Sequence, residues 1–165
     1  MSVDMKTDFP YDPKVLLTIH TDKPAEAGIA IRIPSWASGE MSVLVNGKKK
    51  VSGNPGSYVN IYQKWIDGDN ISFVLPIEFR LTKYTGEEQF PDRGSYALEY
   101  GPVLMALVNI KGDEKNLVLP VEYNKLIKNL KPVTGKPLHF DIAGNSDFVY
   151  IPYFEVQDEP FSCFP

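Results

Sequence analysis

Two histidines, one cysteine and twenty-one carboxylate side chains are the groups in this 165-residue chain suited to covalent or acid–base chemistry. A nucleophilic triad needs a nucleophile, a base and an orienting group brought together. Neither His20 nor His139 neighbours a Ser or Cys in a recognisable motif, and both fall in stretches that read as strands. A surface or half-buried imidazole is the ordinary outcome there. Glycosidic hydrolysis asks for two carboxylates at a fixed separation. The densest acidic spot is Glu87-Glu88 within Thr85-Gly86-Glu87-Glu88-Gln89, where consecutive loop side chains point apart and stay solvated. Asp67 and Asp69 flank Gly68, but the further carboxylates of a calcium loop are missing, so the segment reads as a turn. Gly53-Asn54-Pro55-Gly56 lacks the lysine and helix of a phosphate cradle. Cys163, set among Phe161 and Phe164, reads as an inert thiol, and a lone cysteine builds neither a disulfide nor a thiolate zinc site. The expectation is no catalytic residue, no metal ligand and no cofactor.

What remains is flat apolar area with a polar handle. Trp36, Tyr58, Tyr62 and Trp65 are the candidates for stacking on a sugar face. In an all-β chain with two tryptophans the same side chains also serve as core anchors, and that is their commoner use.

Strands must position all of these groups. Fourteen prolines and twelve glycines interrupt the chain too often for long helices. Period-two alternation runs through Val15, Leu17 and Ile19, and again through Ile29, Ile31 and Ile33. Met41 to Val45 runs into Asn46-Gly47, the dipeptide of a type I′ hairpin. Tyr58 to Trp65 and Ile71 to Leu75 flank Asp67-Gly68-Asp69 and read as two strands that pair. Gly101-Pro102 splits Tyr96 to Ile110 into two strands or bends one. Glu122 to Leu130 is the one helix candidate. The fold class is therefore all-β, an antiparallel, jelly-roll-like β-sandwich over residues 5–110. Residues 111–165 form a C-terminal β extension or a small second lobe.

A net charge of −4, with one short basic run at Lys48-Lys49-Lys50, argues against nucleic acid as a partner. No run is long enough to span a bilayer, and the N-terminal residues lack the apolar stretch of a secretory signal. Membrane association is not expected.

Several segments, taken in order, resemble a known family. They are Thr7-Asp8-Phe9-Pro10-Tyr11-Asp12, Ile31-Arg32-Ile33-Pro34-Ser35-Trp36-Ala37, Val45-Asn46-Gly47, Tyr58 through Trp65 with Gly68-Asp69 and Leu75-Pro76, and Ala97-Leu98-Glu99-Tyr100-Gly101-Pro102-Val103. The series is similar to the C-terminal β-sandwich region after the catalytic barrel in glycoside hydrolase family 127, the β-L-arabinofuranosidases, formerly a domain of unknown function. Gln63 and Tyr100 stand where that family commonly has arginines. The resemblance implies that the nucleophilic cysteine and zinc ligands belong to a preceding (α/α) barrel, and no position here matches them. The chain is then expected to be a non-catalytic accessory domain whose partner is that barrel. The alternative is a carbohydrate-binding module for plant arabinose-containing glycans, and the parent protein is expected to be exported.

Overall fold

A computed structural model describes residues 1–84, 95–110 and 119–165, with residues 49 and 50 in backbone only. The Glu87-Glu88 pair lies outside the described residues. The chain forms two compact units, Met1–Glu78 and Phe79–Pro165. The boundary expected at residue 110 falls inside the second unit and adjoins residues 111–118, which are also outside the described set.

The first unit contains β1 (Ser2–Thr7), β2 (Lys14–His20), β3 (Ala25–Arg32), β4 (Met41–Val45), β5 (Lys48–Gly53), β6 (Tyr58–Trp65) and β7 (Asn70–Val74). One sheet runs β1-β2-β7-β4-β5, and β3 pairs with β6 as a second, two-stranded sheet. The antiparallel pairs β4–β5, β3–β6 and β2–β7 are nested, as in one long hairpin rolled upon itself. Rolling of this kind is the jelly-roll route to two layers.

Alternation explains the core. Ile19, Val43 and Ile71 from the five-stranded sheet meet Ile31, Val59, Ile61 and Trp65 from the pair, with Ile33 and Ala37 from the connection. Each valine or isoleucine among them contributes roughly 1.5–3 kcal/mol by leaving water.

The Asn46-Gly47 hairpin forms as expected: Val45 pairs with Lys48, and Asn46 and Gly47 both take positive φ, 50° and 74°. The expected pairing of β6 with β7 is corrected. The Asp67-Gly68 turn carries the chain from one layer to the other, so β6 pairs with β3 while β7 lies between β2 and β4. Period-two patterning identifies a strand and its buried face but not its neighbour. β1 had no counterpart in the sequence reading; it is a fully exposed edge strand, so little hydrophobic pattern marks it.

The second unit contains β8 (Phe79–Lys83), β9 (Tyr96–Tyr100), β10 (Val103–Val108), α1 (Tyr123–Asn129), β11 (Leu130–Pro132), β12 (Phe140–Ile142), β13 (Asn145–Pro152) and β14 (Phe161–Ser162). Its sheet runs β11-β12-β13-β10-β9-β8, with β14 also on β10. Gly101-Pro102 makes a hairpin, Tyr100 pairing with Val103 and Gly101 taking a φ of 57° that suits glycine at a II′-type corner. The short α1 matches the helix expected there and buries Leu126 against Leu98, Met105, Leu107, Ile142 and Tyr150. Burial pushes the Tyr150 phenol above its ordinary pKa range, and among the described residues its hydroxyl has no hydrogen-bond partner. The whole is the all-β, antiparallel sandwich class expected from the sequence.

Candidate functional site

The four candidate aromatics separate into two kinds. Trp65 is 0% exposed, and its indole N–H donates to the Ala27 carbonyl at 3.0 Å. Trp36 is half-buried against the core and stacks on Phe9, centroids 5.9 Å apart and planes 20° from parallel. Both tryptophans thus hold the fold, one within it and one at a corner. Tyr58 and Tyr62 are 58% and 72% exposed.

β6 explains that division. Val59, Ile61 and Trp65 point inward, so Tyr58, Asn60, Tyr62 and Lys64 face solvent. Opposite them on β3 stand Arg32, Ala30, Gly28 and Glu26 in that order, all exposed. The ring of Tyr62 lies by Gly28: a Cβ there would sit 3.5 Å from Cδ2. Tyr58, Asn60 and Tyr62 make no side-chain hydrogen bonds among the described residues. The sequence reading named both tyrosines but missed Asn60 and the small residues opposite; strand alternation counted outward from Tyr58 and Tyr62 finds them.

The opposite layer has a groove of about 710 Å³ on the outer face of the five-stranded sheet. Leu16, Leu44, Ser42, Ser72 and Val74 form its floor, and Lys6, Lys14, Asp8, Asp12 and Glu40 its charged rim. Leu16 and Val74 are exposed there. Sequence inspection missed the groove because its residues come from distant strands that only the rolled topology makes neighbours.

The carboxylates of the Asp67-Gly68-Asp69 turn are taken up by donors. Asp69 accepts from the Ile66 amide at 2.9 Å and from Asn46 Nδ2 at 2.8 Å, while Asp67 accepts from the Thr21 amide at 3.1 Å. Asn46 Oδ1 in turn accepts from the Asn70 amide at 2.9 Å, so two turns far apart in sequence are clamped together. Among the described residues no group of three or more metal-ligating side chains gathers. His20 bridges Asp4 at 3.2 Å and Asp67 at 3.5 Å on the surface, and His139 lies 3.7 Å from Glu155. Burial pushes the Cys163 thiol up in pKa, away from the reactive thiolate.

The segments that carry the family resemblance converge on these structural contacts. Phe9 meets Trp36, the Leu75 amide donates to the Pro13 carbonyl and the Ser38 amide to the Pro76 carbonyl, and Asn46 meets Asp69.

Comparison with known families and structures supports the resemblance to family 127, with the match falling on its middle domain. Residues 1–77 match the model of the β-L-arabinofuranosidase GH127 middle domain, and the match ends at the border of the first unit. A GH127 β-L-arabinofuranosidase from Geobacillus stearothermophilus is similar at 26% identity and a TM-score of 0.53, over 65% of this chain and 17% of that one. A second GH127 β-arabinofuranosidase is similar at 23% identity and 0.54, over 64% and 19%. A protein described as a glycoside hydrolase shares the fold over 98% of this chain and 31% of its own, at 15% identity and a TM-score of 0.65. The chain thus spans less than a third of each of these structures. No curated protein matches it.

Proposed function

We propose that this chain is a non-catalytic accessory β-sandwich of a β-L-arabinofuranosidase-like glycoside hydrolase, packing on and supporting a catalytic (α/α) barrel that lies outside these residues. One observation carries the reading: the segment matching the middle-domain model is the self-contained first unit, and its motif residues are spent on corners, clamps and core. The matched structures, several times longer, leave ample chain for a catalytic domain. The groove on the five-stranded sheet suits the contact, with an apolar floor to bury and a mixed-charge rim to set orientation.

Mixing the chain with a separately produced catalytic barrel tests this. Binding by calorimetry, weakened about tenfold or more by Leu16→Glu, is the expected result. The chain alone is expected to leave an aryl arabinofuranoside intact. Turnover by the purified chain, abolished in Cys163→Ala, would overturn the proposal.

The solvent-facing pair Tyr58 and Tyr62 favours a second role for the same domain, binding of plant arabinose-containing glycan on the face opposite the groove. The two roles are compatible, because the sandwich has two outer faces.

A further inference from the structure

The glycan-binding role, on which this inference rests, leaves open what form of sugar the β3–β6 face takes. We propose that this face is a platform for an extended, uncharged glycan strand, with Tyr58 and Tyr62 as two stacking rungs and Asn60 as the hydrogen-bonding residue between them.

Four features of the face support an extended ligand. Tyr58 and Tyr62 are four residues apart on one strand, roughly 13 Å at about 3.3 Å per residue, a span for several linked sugars rather than one. Tyr62 stands across from Gly28, where the absence of a side chain leaves its ring open to water. Ala30 and Gly28 opposite Asn60 and Tyr62 leave the floor between the rungs low. The charged groups stand at the two ends, Arg32 beside Tyr58 at one and the Glu26 and Lys64 pair at the other, leaving the middle of the path neutral.

The same features disfavour a protein partner. An interface core needs bulky apolar side chains to bury, and beyond the two phenol rings this face offers nothing larger than alanine that is apolar. Tyrosine rings present an apolar surface for the C–H face of a sugar, and the Asn60 amide, unbonded among the described residues, can both donate to and accept from hydroxyls. Side chains already exposed and unbonded cost little to desolvate compared with those that must first break internal hydrogen bonds.

The test uses the intact 165-residue chain, titrated calorimetrically with L-arabinose and with linear arabino-oligosaccharides of increasing length, and run in affinity gels containing debranched arabinan. The expected result is affinity that climbs with oligosaccharide length until both rungs are covered. Tyr58→Ala and Tyr62→Ala should each weaken long-oligosaccharide binding about tenfold, the loss of one stacked ring. Tyr62→Phe should keep it, and circular dichroism should show all variants folded. Binding of monosaccharide as tight as that of long oligosaccharides, or undiminished binding in the Tyr58→Ala/Tyr62→Ala double variant, would overturn the platform while leaving glycan binding itself standing. Unretarded migration on arabinan together with no heat from any sugar would remove both.

Discussion

Glu99 on β9 accepts two hydrogen bonds from Arg80 on β8, at 2.7 and 2.9 Å, and a third from the Thr82 hydroxyl at 2.6 Å. The guanidinium contact, outweighing the cost of burial and helped by Thr82, holds its carboxyl below the usual carboxylate range. A carboxylate whose pKa is lower in the folded state adds stability that is complete above its unfolded value, about 4.3, and is lost as pH falls through the folded value. Arg80 is half exposed, so the pair is worth about 1 kcal/mol or less. Glu99→Gln should therefore lower stability modestly at neutral pH and flatten the acid side of the stability–pH curve, read by urea titrations between neutrality and the acid transition. Equal acid sensitivity in variant and wild type would refute the assignment. Individual residues were the hardest scale to read from sequence. Glu99 was visible as part of a motif, yet its partner Arg80 lies across a strand pair that sequence spacing does not reveal. The aromatic candidates show the same limit, since Trp65 and Tyr62 sit in one strand and only the phase of its alternation sends one to the core and the other to water.

Two glycines in the first unit look alike in sequence and differ in consequence. At Gly53 on β5 a Cβ would meet Ile33 Cδ1 at 2.8 Å, Ser57 Oγ at 3.1 Å and Val59 Cγ2 at 3.2 Å, and Ile33 is fully buried. Gly53→Ala should cost about 1–3 kcal/mol through overpacking. At Gly28 the added methyl makes ordinary contact with Tyr62 and the backbone is not in the left-handed region, so Gly28→Ala should be neutral or stabilise by about 0.4–1 kcal/mol. Chemical denaturation of the two variants side by side decides it, and equal effects would contradict the close approach of β5 to the second layer. Strands with one buried face and turns with obligatory residue types were legible: β6 spans the residues expected, and Asn46-Gly47 and Gly101-Pro102 make their hairpins. Partner choice between strands was not, because β3 and β6 find each other through a match of length and inward residues separated by two intervening strands.

Each unit has its own hydrophobic cluster, Trp65 and Ile71 central to the first, Met105 and Tyr150 to the second. A core that closes on itself is the requirement for independent folding. A fragment of residues 1–78 should therefore keep a cooperative thermal transition and the near-ultraviolet dichroism of Trp65 in a fixed environment; a featureless spectrum would show that the first unit depends on the rest of the chain. At this scale the class of fold was legible from strand spacing and turn chemistry, whereas the division after Glu78 was not, since Pro76 beside it reads in sequence as the end of a strand rather than a border between units.

The nested pairing of the first unit also imposes an order in time. Val45 and Lys48 meet across a two-residue loop, whereas Lys14 and Val74 meet only after nearly the whole unit has been gathered between them. Closing the outer pair first would carry the largest loop entropy, so the chain should zip outward from the β4–β5 tip. Substitutions at Asn46 and Gly47 should then slow refolding, while those across β2 and β7 should chiefly hasten unfolding, a contrast that stopped-flow chevrons resolve.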